Sequence, residues 1–226
     1  MVGGRMTKRK FLRAMAAAGA GVAAGPLRAE SGELIEAAEA GDEARVKRLI
    51  AQGAPVNLMD AKGRTALMAA ASRSHVGVAR ALIDAGADVN QKDASGQSAY
   101  LVSGVTGNLE ILRMTLARGA DLKSTNDRYG GTALIPACER GHVEVVAELI
   151  AAGVNVNHVN RLGWTGLLEA IILTDGGPRS RQVVRLLIDA GADLNLADKD
   201  GVTPLQHARE RGYDEIARML QAAGAS

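Results

Sequence analysis

The sequence predicts an all-α repeat fold, a solenoid of stacked helix-turn-helix units with short β-hairpin loops. Three observations predict it. The string Gly-Ala-x-Val/Leu-Asn recurs as GAPVN at 53, GADVN at 86, GADLK at 119, GVNVN at 153 and GADLN at 191, in steps of 33, 33, 34 and 38 residues. A fixed period of this size marks a chain of identical supersecondary units. A second string follows each copy by 12 or 13 residues: Thr65-Ala-Leu, Ser98-Ala-Tyr, Thr132-Ala-Leu, Thr165-Gly-Leu and Thr203-Pro-Leu. Finally, 47% of residues are apolar but only 2% are aromatic, so the core must be built from Ala, Leu, Val and Ile. Such a core suits thin, closely packed helices better than a sandwich or barrel.

Residues 1–29 read as a leader rather than as a unit. They carry Arg5, Lys8, Arg9, Lys10, Arg13 and Arg28, and no acidic residue. A basic stretch, a short apolar stretch (14–24) and Leu27-Arg28-Ala29 before Glu30 have the three-part layout of a cleaved secretory signal. Thr7-Lys8-Arg9-Lys10-Phe11-Leu12-Arg13 resembles the twin-arginine (Tat) pattern, with Lys8 in the place of the first Arg. That resemblance favours Tat over Sec export and implies a periplasmic location, with Met1 or Met6 as the start. Gly19, Gly21 and Ala24 fit a dinucleotide fingerprint only as a string, because no strand precedes them and no βαβ unit contains them.

Six units follow within 30–226. The first, 32–57, starts directly at Ser31-Gly-Glu-Leu-Ile without a hairpin and reads as an N-terminal cap. The next three, 58–90, 91–123 and 124–157, each hold a glycine-containing hairpin, a Thr or Ser to cap an inner helix, and an outer helix ended by Gly. Ala pairs such as Ala69-Ala70 let neighbouring inner helices approach closely. The fifth unit, 158–195, carries five extra residues within LTDGGPRSRQ, between its two helices. There the inner helix is expected to run on by up to a turn, Gly176 or Gly177 to cap it, Pro178 to block it, and Ser180 to cap the outer helix. A P-loop needs G-x-x-x-x-G-K-[ST] after a strand, and the segment has neither. The last unit, 196–226, reads as a C-terminal cap, as a linear stack requires.

These residues resemble the ankyrin repeat. Asp198-Lys-Asp-Gly-Val-Thr-Pro-Leu-Gln-His-Ala208 is nearly the full family motif, with Gln206 in its His slot. The resemblance covers about 32–226. It implies paired helices with hairpin loops and a protein partner bound by the hairpin tips and the inner-helix face.

Several function classes are disfavoured by composition. Without the six basic leader residues, the remainder holds 21 basic against 25 acidic residues, so the pI near 8.8 belongs to the leader and no nucleic-acid footprint remains. No apolar run approaches the roughly 18–20 residues that cross a bilayer. The single Cys138 excludes an intramolecular disulfide and a cysteine-based metal site, and reads as a small core residue. His75 and His142 occupy inter-helix turns where this family carries His or Asn, so His142-Val143-Glu144 is not read as a metal motif.

The candidate partner-binding residues concentrate in the later units. Arg128 and Tyr129 lie in one hairpin, and His158, Asn160, Arg161 and Trp164 in the next. Rare aromatics beside arginines have the composition of a binding hot spot, although Trp164 is also suited to pack on the adjacent hairpin. Glu169 and His207 hold equivalent places on neighbouring inner helices, either as a structural pair or within a recessed polar site. The insertion 174–181 is either a tolerated surface loop or a recognition element carrying Asp175, Arg179 and Arg181.

The favoured reading is a monomeric, exported, non-enzymatic module, with no cofactor or metal, that binds a protein through the concave face of units four to six. The alternative is an accessory or inhibitory factor for one periplasmic enzyme. A small-ligand receptor or enzyme using Glu169, His207 and the 174–181 loop ranks last, because no nucleophile–base pair, metal set or phosphate cradle emerges.

Overall fold

The computed structural model describes residues 24–226. Residues 1–23, which hold most of the expected leader, lie outside the described residues. Twelve helices form six pairs among the described residues. Unit one pairs α1 (Ala24–Ala40) with α2 (Glu43–Ala51), and unit two pairs α3 (Ala66–Ser72) with α4 (Val76–Asp84). Unit three holds α5 (Ala99–Thr106) and α6 (Leu109–Ala117), and unit four α7 (Leu134–Glu139) and α8 (Val143–Ala151). Unit five holds α9 (Gly166–Ile172) and α10 (Pro178–Asp189), and unit six α11 (Pro204–Glu210) and α12 (Asp214–Ala222). The odd-numbered inner helices stack on one another, as do the even-numbered outer helices, and each helix otherwise packs mainly on its own partner. No strand occurs among the described residues. The hairpins are tight turns closed by a few local bonds, such as Asn160 N–H to the Trp164 carbonyl and Gly163 N–H to the Asn160 carbonyl, each at 2.9 Å.

Two apolar clusters run the length of the stack, one from Leu34 to Ile111 and the other from Tyr100 to Leu220. Small residues set how closely the units approach. A Cβ on Gly104 of α5 would lie 2.5 Å from the Ala133 carbonyl oxygen, so the chain passes there at a distance only glycine permits. Cys138 is fully buried against Gly166, and burial pushes its thiol pKa up, with the negative field of Glu169 adding to the effect. It is a core residue, as its place in the repeat predicts.

Polar ties join each unit to the next. The last residue of the repeated string is a bridge: Asn57 accepts from Asp88 N–H at 2.8 Å and donates to the Gly86 carbonyl at 3.3 Å. Asn90 does the same to Asp121 and Gly119. His75 donates to the Glu39 carbonyl and His142 to the Val105 carbonyl, at 3.1 and 3.2 Å. In unit six Tyr213 takes over this role with a hydroxyl bond to the Thr174 carbonyl at 2.6 Å. The turn histidines therefore splice units together.

Four of the five expected inner-helix caps form: Thr65, Ser98, Thr165 and Thr203 each accept the N–H three residues on. Thr132 does not. Its hydroxyl is buried without a partner, and α7 starts one residue late at six residues long. Pro136 explains this, because it has no N–H to return to the Thr132 carbonyl as Ala69 does to Thr65 at 3.1 Å.

The insertion also folds differently from expectation. Helix α9 ends at Ile172 and keeps the seven-residue length of α3 and α11. The extra residues instead lengthen the outer helix, which at 12 residues exceeds the nine of α8. Gly177 is its N-cap residue and Pro178 its first residue, where a missing N–H costs nothing. Ser180 is not the cap. It is buried in the first turn, donates to the Ala170 carbonyl at 2.7 Å, and meets Thr174 Oγ1 at 2.8 Å. No helix among the described residues is long and apolar enough to cross a membrane.

The contact at Gly104 is testable. Gly104→Ala is expected to destabilise the chain by about 1–3 kcal/mol, even though alanine alone favours a helix by about 1 kcal/mol. The urea midpoint reads this directly, and an unchanged or higher midpoint would contradict the close approach.

Candidate functional site

The hairpins and inner helices of units three to five enclose a cleft of about 350 Å³. Its hairpin wall is made by Gln97, Asn126, Arg128, Tyr129, Gly131, Asn160 and Leu162. Val105, Ile135, Pro136, Glu139, Arg140, Glu169 and Leu173 complete it from α5, α7 and α9 and their ends. Tyr129, Leu162 and Leu173 are 41, 42 and 48% exposed, unusually high for large apolar side chains, and all three border this one hollow. Arg128 lies 4.9 Å from the centroid of the Tyr129 ring, a cation–π distance that holds both groups at the rim.

The floor is acidic. Glu169 is only 4% exposed, and its Oε1 accepts one bond, from Asn160 Nδ2 at 2.9 Å. Asn160 is buried and fixed by its own hairpin, where its Oδ1 accepts from Leu162 N–H and Trp164 N–H. Burial pushes the Glu169 carboxyl up to about 7, the nearby Glu139 charge adds to this, and the Asn160 bond opposes both.

Four of the eight candidate residues therefore line the cleft: Arg128, Tyr129, Asn160 and Glu169. The others are engaged elsewhere. His158 Nε2 donates to the Gly130 carbonyl at 2.6 Å, and Arg161 N–H donates to the Tyr129 carbonyl at 2.7 Å while its guanidinium reaches the Asp127 carbonyl. Both tie hairpin five to hairpin four. Trp164 is half-buried at the closing end of its hairpin and does not border the cleft.

Glu169 and His207 do not pair. Each bonds back to its own hairpin nine residues earlier: Glu169 to Asn160, and His207 Nε2 to Asp198 Oδ2 at 2.7 Å. The intra-unit partner lies within one hydrogen bond, whereas the neighbouring helix is a full helix spacing away. For Asp198 burial raises the carboxyl, but bonds from Val202 N–H, His207 and Asp200 N–H outweigh it and hold the carboxyl below its ordinary range.

The insertion residues divide between faces. Asp175 and Arg179 border a smaller recess beside Glu139 and Arg140, and Asp175 Oδ1 accepts from Gly177 N–H at 2.8 Å. Arg181 pairs with Glu215 on the outer-helix side and takes no part in the cleft.

Leu162, Leu173, Glu139 and Arg140 escaped the sequence reading, although a signal was present. Leu162 and Tyr129 hold a hairpin-tip place where other units have Lys62, Ser95 and Asp200. Leu173 stands where other units carry Arg73, Arg140 and Arg211. Apolar residues at positions that are otherwise polar mark this surface.

Comparison with known proteins gives a consistent picture. The model of a family described as ankyrin repeats (three copies) matches residues 34–126 and 101–198. The ankyrin repeat protein YahD of Escherichia coli is 46% identical over 194 residues, spanning 85% of this chain and 96% of that protein. A crystal structure of an ankyrin repeat domain from Acinetobacter baumannii aligns with a TM-score of 0.81 at 59% identity, covering 85% of this chain and 98% of that one. A second solved ankyrin repeat protein gives 0.79 at 37% identity, covering 87 and 98%.

Glu169 also makes a stability prediction. Its folded pKa of about 7 exceeds the ordinary 4.5, so the native state holds this proton more tightly than the unfolded chain. Its contribution to stability is therefore full below about pH 4.5 and is lost as pH rises through 7. Glu169→Gln cannot ionise and is expected to be more stable than the parent at pH 8, by on the order of 1–3 kcal/mol, with the gap closing at pH 5. Urea unfolding of both proteins at the two pH values checks this. A gap that widens at pH 5 would reverse the assignment.

Proposed function

The chain belongs to the ankyrin repeat family, whose domains are generally protein–protein interaction modules, and on that premise we propose that it binds a protein partner through the cleft of units three to five. One observation carries this reading: three exposed apolar side chains, Tyr129, Leu162 and Leu173, converge on a single hollow with Arg128 and Arg140 at its edge. Aromatic and aliphatic anchors beside arginines, in a recess that a partner can dry, are what concentrates binding energy at interfaces. The stack supplies the rigidity, since the hairpins that present these groups are tied to one another by His158 and Arg161.

The surface proposed is shifted one unit towards the N-terminus from the face the sequence suggests, because His207 is held by Asp198 and Trp164 does not reach the hollow. We take the module to be non-enzymatic, with Glu169 and His207 each engaged within its own unit. The basic leader at 1–29 supports export, and a periplasmic partner is part of the proposal.

The test is capture from periplasmic and cytoplasmic extracts with the full chain, beside Tyr129→Ala/Leu162→Ala and an outer-face control, Arg181→Ala. A protein bound by the parent and by Arg181→Ala is expected to bind the double variant roughly 100-fold more weakly, since two anchors at 1–2 kcal/mol each are removed. Equal binding by all three would refute the cleft. A partner found only in the cytoplasmic extract would refute the export reading alone.

A further inference from the structure

The cleft holds a buried carboxyl with no opposite charge beside it, and its own repeat shows how such a group is otherwise met. At the place of Glu169 the other four hairpin-bearing units carry Ala69, Val102, Pro136 and His207. Three of these need no partner. The fourth, His207, is matched by Asp198, the residue nine positions earlier in its hairpin. In unit five that earlier residue is Asn160, a neutral amide, so Glu169 receives one hydrogen bond and no opposite charge. Among the described residues no donor reaches its Oε2, and its charged neighbour across the helix interface is another carboxylate, Glu139. Burying a charge without a counter-charge is costly. The charge that would satisfy Glu169 is therefore absent from the chain's own fold.

Two more features define what fits. Gln97 Oε1, at the unit-three end of the same cleft, is a buried acceptor without a donor. Arg128 and Arg140 are exposed at the rim. The floor and the far end thus ask for N–H donors, while the rim asks for carboxylates.

We propose that the floor of this cleft is a socket for a basic side chain of the protein partner, an arginine or lysine flanked by acidic residues. The basic head binds Glu169, its aliphatic stem lies against Tyr129 and Leu162, and its acidic neighbours meet Arg128 and Arg140. A guanidinium fits better than an ammonium, because it sheds water more readily and stacks on an aromatic ring. The proposal rests on the cleft reading above and adds the chemistry of the occupant. The charged or ionisable groups around Glu169 are Glu139, Arg140 and the Cys138 thiol on or beside α7, Arg128 in the hairpin, Asp175 ahead of α10 and Arg179 in its first turn, and His207 on α11, the inner helix packed on the other side of α9.

The probe is the tripeptide acetyl-Glu-Arg-Glu-amide, with acetyl-Glu-citrulline-Glu-amide as its neutral-head analogue. Backbone amide shifts of the full chain are followed by NMR at pH 8 and pH 5.5. At pH 8 the arginine peptide is expected to give saturable shifts in 160–164 and 167–170, and the citrulline peptide at least tenfold weaker binding. Glu169 must ionise to hold the head, so with its pKa near 7 affinity falls roughly 30-fold at pH 5.5. Glu169→Gln is expected to abolish both the arginine preference and the pH dependence. No saturable shift at pH 8, equal binding of the two peptides by the parent chain, or a flat pH profile would each overturn the proposal without any variant. Should the arginine peptide fail while a captured protein still depends on Tyr129 and Leu162, the basic-socket assignment falls and the protein-binding cleft stands.

Discussion

Every feature of this molecule depends on the contact between one unit and the next. A single pair of seven- to nine-residue helices has two apolar faces and cannot bury either alone. Burial comes only when the inner helices lie close enough for short side chains to interlock, and that spacing is set where bulk is missing. Ala69, Ala70, Ala137, Ala170 and Ala208 are essentially inaccessible, and Gly104 passes the Ala133 carbonyl at a distance that excludes a Cβ. The scarcity of aromatic residues follows from the same constraint, since a ring between inner helices would force the stack apart.

The polar ties follow the packing and repeat with it. Each bridging Asn satisfies backbone groups at the start of the next loop, where no helix or strand would otherwise pair them. The series breaks once, where Lys123 replaces Asn and the following hairpin is one residue longer. Beyond that break the backbone bond between hairpins persists, Arg161 N–H to the Tyr129 carbonyl repeating Ala94 N–H to the Lys62 carbonyl, and side chains add to it, His158 reaching the Gly130 carbonyl and the Arg161 guanidinium the Asp127 carbonyl. The cleft opens over this same stretch. An altered loop therefore changes both how the units are joined and what they present, and Tyr129 reaches the rim because its hairpin is rebuilt there.

Electrostatics divides the two cap-proximal units in a way that packing does not. Units five and six each bond a hairpin residue to an inner-helix residue nine positions later. Asp198 with His207 forms a matched pair, whereas Asn160 with Glu169 leaves a carboxylate facing a neutral amide. The inner helices have the same length and the spacing is the same, so the difference lies in the side chains. A fold that could place alanine there, as at Ala69, instead retains a group that burial disfavours. Sites of this kind are where a chain departs from its own most stable solution.

The sequence by itself determined the architecture. Period, helix-capping Thr and Ser, terminal glycines and the small inner-helix residues are all local or evenly spaced features, and each unit repeats the message of the last. It also named Arg128, Tyr129, Asn160 and Glu169, because rare residue types stand out against a repeating background. Only the tertiary structure decided where polar side chains spend their hydrogen bonds. His158, Arg161 and His207 look like free binding groups in the sequence but are taken by carbonyls or carboxylates that folding brings within 3 Å. Arg181 is turned to the outer face by the helix that the insertion lengthens. Leu162 and Leu173 lie in different segments, and nothing in their spacing says that they share a hollow. Regular elements are specified by near neighbours in the chain, whereas a site is specified by which groups are left unpaired after all others have found partners.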